Sequence, residues 1–289
     1  MKKHRSFLPI IFSFSLCLLV SSTSQARQKF ATLPGGLLYP QFGIAAFTNA
    51  AALVSDWYSE VQALYSPAKD DNSMPHSYLL GYSTSNPKVG FNIGYLGSTQ
   101  SGVAVHNLFT GVGFRKKSHA FGLALRKNDL AYSTSIPIDL SWMWDISHRL
   151  TLGVVGYDIL NNQTMAVGLG YEDYSYYSME VDVQFPLPGY PELATKEYSA
   201  NFASVFYFIK AVGISLGTRY QKWSNTTEES AKWRTTLGSV VRIKKHWSIV
   251  GLYTSHPDTY TVGLIWGNPA TSQQWIQYWL ERDRRGLNL

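Results

Sequence analysis

The chain has 289 residues, 45% of them hydrophobic and only 15% charged, which excludes a disordered, highly charged polymer. Its mean hydropathy of -0.11, with no apolar run of roughly twenty residues in mid-chain, excludes a bundle of membrane helices. The single cysteine, Cys17, excludes a disulfide scaffold and a thiolate metal site, and the formal charge of +6 sits partly in the first few residues.

Residues 1–26 read as a cleaved export signal. Lys2, Lys3, His4 and Arg5 precede an apolar stretch over residues 7–20, and a small polar exit ends with Ser24 and Ala26 at cleavage-site spacing. The apolar stretch is short for a membrane span, and Leu16 before Cys17 does not suit a lipidation site. Taking Lys2, Lys3 and Arg5 from the 25 basic residues leaves 22 against 19 acids, a net of +3 spread along the mature chain. Nucleic acid as a partner is therefore not expected. The next segment, residues 27–56, does not alternate and is rich in small residues, among them Gly35, Gly36, Gly43, Ala45, Ala46, Ala50, Ala51 and Ala52. It reads either as a plug folded into a barrel or as a periplasmic tail.

From residue 57 to 267 the chain alternates apolar with small or polar residues, with turns between. Val89, Phe91, Ile93 and Tyr95 alternate with Gly90, Asn92 and Gly94. Val212, Ile214, Leu216 and Tyr220 alternate with Gly213, Ser215, Gly217, Arg219 and Gln221. Such strands fit a soluble sandwich with apolar faces inward, or a membrane barrel with apolar faces outward. Three features favour the barrel. The second face is often glycine or alanine rather than lysine and glutamate. Aromatic residues such as Tyr78, Tyr82, Trp142, Trp144, Tyr220, Tyr260 and Trp266 sit near strand ends on the apolar face. The intervals between strands alternate long and short except at the last.

The predicted strands are 57–65, 76–84, 88–96, 103–115, 119–127, 136–145, 148–157, 163–171, 175–185, 197–208, 211–223, 230–243, 246–254 and 258–267. The expected fold is an all-β, transmembrane antiparallel barrel of about fourteen strands, or twelve if one pair is misjudged, in the cell outer membrane and in contact with its lipid. The lumen face carries Asn92, Asp139, Glu180, Asp182, Gln184, Arg219, Arg234 and Arg242, read first as a structural network of paired polar groups and second as a selectivity filter. Arg115, Lys116, Lys117, Lys210, Lys244 and Lys245 gather at the short turns and read as solvated.

The stretch Phe47-Thr48-Asn49-Ala50-Ala51-Ala52-Leu53 resembles the Asn-Pro-Ala-x-Leu segment of the FadL family of outer-membrane channels for long-chain fatty acids and other hydrophobic compounds. Asn49, Ala51 and Leu53 match, whereas Ala50 stands where the family has proline. The resemblance implies that these residues end an N-terminal hatch inside a barrel of fourteen strands, and that small hydrophobic molecules are the cargo. The chain is shorter than members of that family, which carry long outer loops and an outer ligand groove.

Residues 268–289 follow the last predicted strand. Pro269 with Thr271 or Ser272 gives helix-start signals, and Trp275, Ile276, Trp279 and Leu280 share one face before Arg282, Arg284 and Arg285. This amphipathic helix is read as lying on the membrane, capping the periplasmic mouth, or docking a periplasmic or membrane partner. The last option makes the barrel a non-transporting assembly or secretion partner, the main alternative to a channel.

No phosphate loop, HExxH or G-x-S-x-G motif occurs, and the seven histidines are scattered without metal-ligand spacing, so neither metal nor cofactor is expected. His246-Trp247-Ser248 has the spacing of the pair used by barrel lipases, but it follows a short turn at the wrong end, and Ile249 stands where those enzymes have asparagine. The chain is not expected to be an enzyme.

Overall fold

The computed structural model describes residues 37–38, 48–54 and, apart from parts of the connections, 58–269. The predicted export signal and the predicted helix bearing Trp275, Ile276, Trp279 and Leu280 lie outside the described residues.

Fourteen strands form one closed antiparallel barrel: β1 (Tyr58–Ser66), β2 (Ser77–Ser85), β3 (Val89–Gln100), β4 (Val103–Lys116), β5 (His119–Lys127), β6 (Ile138–Asp145), β7 (Leu150–Tyr157), β8 (Thr164–Asp173), β9 (Tyr177–Pro186), β10 (Lys196–Ile209), β11 (Val212–Ser224), β12 (Glu229–Lys244), β13 (Trp247–Thr254) and β14 (Thr259–Pro269). Each strand pairs with its sequence neighbours, and β1 pairs with β14 from Tyr58↔Pro269 to Tyr65↔Val262, so the sheet has no free edge. The end that carries both termini of the barrel has connections of two to four residues, and the other end has connections of two to ten. The last connection, four residues between β13 and β14, falls at the long-loop end. Strand β14 runs to Pro269, so Asn268 and Pro269 continue the pairing with β1.

The alternation decides which way each face looks. In β5, Ala120, Gly122, Ala124 and Arg126 are buried while Phe121, Leu123 and Leu125 are exposed. The same inversion holds around the wall, where exposed Leu80, Ile93, Leu140, Leu169, Val181, Ile214, Leu237 and Leu264 point outward. An apolar outer surface of this extent needs lipid rather than water. Among the described residues no helix is long and apolar enough to cross a membrane; the strands do so.

Aromatic side chains band the outer face at both ends. Near the short turns His119 stacks with Trp142 and Trp144, Tyr177 stacks between Tyr171 and Phe206, and Trp247 meets Trp266. Near the long loops are Tyr65 with His76, Tyr78 with Tyr95, Tyr220 with Trp233, and Tyr253 with Tyr260. Amphipathic rings settle at the two membrane surfaces, so these bands mark the edges of the hydrocarbon layer.

Val181 lies between the bands, 47% exposed and flanked across the sheet by Leu169 and Phe202. Val181→Arg is expected to destabilise the inserted barrel by about 2–4 kcal/mol, the cost of arginine near the bilayer midplane. Urea unfolding in lipid vesicles measures this, and a cost near zero would place Val181 away from lipid.

Candidate functional site

The candidate site is the lumen, which is occupied by the chain itself. Ala50–Val54 forms a 3-10 helix against the inward faces of β3–β6, and all five residues are buried. Glycines make the close approach possible. A Cβ at Gly90 would stand 2.6 Å from the carbonyl oxygen of Leu53, and one at Gly113 2.6 Å from that of Ala50. At Gly122 it would overlap the backbone nitrogen of Ala51. Leu37 and Leu38 pack further round the wall, over Gly168 and Gly153 respectively. They join Ala50–Val54, Met143, Val155, Tyr157 and Ala166 in one apolar core. Burying a leucine or valine in this way contributes about 1.5–3 kcal/mol relative to leaving it in water.

Polar contacts fix the same segment. Asn49 serves two roles: its Oδ1 accepts from the backbone N–H of Ala51 at 3.0 Å, and its Nδ2 donates to the carbonyl of Leu37 at 2.9 Å. The side chain thus shapes the start of the 3-10 helix and ties it to the preceding stretch. The wall contributes three further bonds. Ala51 N–H donates to Ser141 Oγ at 2.9 Å, Tyr157 O–H donates to the Thr48 carbonyl at 2.8 Å, and Leu38 N–H donates to Glu180 Oε2 at 3.0 Å. Of the residues that carry the FadL resemblance, Asn49, Ala51 and Leu53 are all buried in the lumen, at 1%, 0% and 0% exposure.

Four of the charged lumen residues, Asp139, Glu180, Asp182 and Arg219, are tied to named partners. Asp182 accepts from Asn201 Nδ2 at 2.8 Å, and Arg219 donates to Ser199 Oγ at 3.3 Å. Asp139 is paired with Arg126 at 2.7 Å and also accepts from the backbone N–H of Asp158 at 2.8 Å. Asn92 donates to Ser83 Oγ. Gln184 faces inward and is buried, and Arg234 lies directly across from Arg219. Arg242 is exposed at the rim, beside the register shift between Arg242 and Lys244.

Three members of this network were not singled out as inward charges: Arg126, Asp145 and Arg115. Arg115, grouped in the sequence with solvated turn lysines, instead pairs with Asp145, and Asp145 also accepts from Thr151 Oγ1 at 3.1 Å. The inward parity of each strand was the available signal, but the partners lie on different strands and emerge only with the register.

A second buried apolar group, Leu64, Leu79, Leu96, Phe109, Val250, Leu252 and Ile265, faces inward from β13, β14 and β1–β4. Val240, Val250, Gly263, Leu64, Leu79 and Leu96 are successive cross-strand neighbours. Val240 lies towards the short-turn end of β12 and Leu96 towards the long-loop end of β3, so the row climbs diagonally along the inner wall.

His246 and Ser248 do not form a lipid-facing pair. His246 lies in the turn with Nδ1 3.2 Å from the Gly267 carbonyl, and Ser248 shares the inward face with Val250.

These features define a closed fourteen-stranded transmembrane barrel whose lumen holds residues 37–38 and 48–54, which precede its first strand. No family model and no curated protein sequence matches the chain. The fold is nevertheless that of FadL-type channels. The chain is similar to the CymD monoaromatic hydrocarbon channel, with a TM-score of 0.62 at 7% identity over 83% of this chain and 98% of that one. It is similar to a mutant of the TodX monoaromatic hydrocarbon channel, with a TM-score of 0.59 at 10% identity over 87% and 99%. A FadL homologue of Pseudomonas aeruginosa gives a TM-score of 0.57 at 9% identity over 86% and 98%. At such identities the likeness is one of fold.

Proposed function

We propose that the chain is a passive outer-membrane channel for small hydrophobic molecules, closed at rest by a hatch formed from its own N-terminal segment. The observation that carries this reading is the lodging of Leu37, Leu38 and Thr48–Val54 within the lumen, held by wall groups on β6, β7 and β9. The diagonal row of inward leucines and valines supports an apolar cargo, because a track without charges imposes no desolvation cost on such a molecule. The fold relatives named as hydrocarbon channels point the same way. Asn49, Ala51 and Leu53 belong to the hatch, and its displacement opens the path.

Removal of residues 35–56 tests the proposal. The truncated barrel is expected to show larger and longer openings in planar bilayers, together with altered uptake of a hydrophobic probe such as toluene. The reading is abandoned if a correctly folded truncated barrel leaves both conductance and uptake unchanged.

A further inference from the structure

The outer wall at the long-loop end of β1–β5 carries a polar aromatic patch. Tyr65, Tyr78, Gly97 and His106 are successive cross-strand partners on the outward face. One row nearer mid-membrane, Leu80, Tyr95, Leu108 and Lys127 are likewise successive partners, and His76 precedes Tyr78 by two residues on the same face.

The polar groups are organised against one another. Tyr65 Oη lies 2.7 Å from His76 Nδ1, and Tyr95 Oη lies 2.5 Å from His106 Nδ1, each with its two rings stacked. Tyr78 Oη is 3.3 Å from Tyr95 Oη, and the Tyr78 ring lies across Gly97, where a Cβ would collide with it. Hydrogen bonds therefore hold three phenols and two imidazoles as a fixed surface, with the Lys127 ammonium at its side. Among the described residues of β1–β5 the sole carboxylate is Glu60, which has inward parity and lies at the opposite end. At the short-turn end the stacked rings of the described residues are mainly Trp, Phe and Tyr, joined by His119.

We propose that this patch binds the phosphorylated sugar headgroup of a glycolipid in the outer leaflet. The inference rests on the outer-membrane placement proposed above, which sets the long-loop end outside. At that end the patch stands at headgroup depth, where amphipathic tyrosines settle. A phosphate accepts hydrogen bonds from imidazole N–H and ammonium groups, the latter charge-assisted. The flat faces of Tyr65 and Tyr78, 43% and 37% exposed, offer platforms for a sugar ring. A plain phospholipid would satisfy these donors but leave the platforms without a rigid partner. Among the described residues of β1–β5 no carboxylate stands on the outward face, so these strands offer no repulsion to an anionic headgroup.

The test uses the full chain folded into phosphatidylethanolamine vesicles doped with bisphosphorylated lipid A, dephosphorylated lipid A or phosphatidylglycerol. Bound lipid is counted by native mass spectrometry. Bisphosphorylated lipid A is expected to bind about tenfold more tightly than either alternative, a difference of ~1.4 kcal/mol. The H76Q/H106Q/K127Q variant is expected to lose that preference. Equal binding of dephosphorylated lipid A, equal binding of phosphatidylglycerol, or full preference in the triple variant would each overturn the site. The lipid comparison on the unaltered chain decides the matter even if the variant does not fold. A chain that inserts, as shown by a heat-modifiable gel band, yet has no preference defeats only the site; a chain that never inserts defeats the membrane reading itself.

Discussion

Replacing Gly122 by leucine is expected to open the barrel. A side chain there would be driven into the backbone of Ala50 and Ala51, atoms that cannot rotate aside as a flexible side-chain tip can. The wall is poorly placed to yield, because Gly122 is paired with Gly113 on one side and Ser141 on the other. The 3-10 helix must therefore move, with loss of the Ala51–Ser141 and Tyr157–Thr48 hydrogen bonds. At about 1 kcal/mol for each bond, before the lost leucine burial is counted, the closed state weakens enough to raise the open population by roughly one to two orders of magnitude. Planar-bilayer recordings and dye entry into proteoliposomes measure this. Gly217→Ala is the control, since a Cβ there meets ordinary contacts at 3.9 and 4.0 Å. If G122L forms a stable barrel and conducts no more than G217A, the internal segment is not a gate.

The second large effect is expected from stability rather than permeation. Arg126 and Asp139 are 6% and 4% exposed and paired at 2.7 Å, inside a wall whose next layer is lipid. Arg126→Ala leaves the carboxylate without its guanidinium, and loss of one partner from a buried pair costs about 3–5 kcal/mol. Replacing both residues by apolar ones of similar size, as in R126M/D139L, is expected to restore much of the loss, because the pair's desolvation cost disappears with it. Urea midpoints followed by tryptophan fluorescence in vesicles give both values. A loss below about 1 kcal/mol for the single variant would mean that water screens the pair as at a surface.

The strands and their facing were legible because lipid and lumen demand opposite chemistry of alternate residues. Val89 to Tyr95 shows this most clearly: the apolar residues face out, and Gly90, Asn92 and Gly94 face in. The short-turn end was legible for a related reason, since tight hairpins leave little room between strands. The partners inside were not legible. Arg126 meets Asp139 across one long connection, and Arg115 meets Asp145 two strands away, so each pairing depends on the register of strands whose intervals vary. Asn49 stood out through resemblance alone, whereas its physical work is local and readable only in coordinates: it closes its own turn and bonds the chain twelve residues earlier. His246 and Ser248 are set aside in the sequence by the end at which their turn lies and by Ile249, and the inward facing of Ser248 is a separate reason that the structure supplies.

The seam between β1 and β14 imposes an order of events on assembly. The strand made first finds one of its two partners only when the strand made last is present, so the wall stays open until synthesis of the barrel is complete. Contacts between such distant parts of a chain form slowly. Until then β1 carries an unpaired edge, a template for any other extended chain, and must be shielded from one. The segment in front of β1 is meanwhile tethered at the open seam. It can settle against β3–β9 before closure, without having to thread a finished mouth, and its seat is enclosed when the last strand docks.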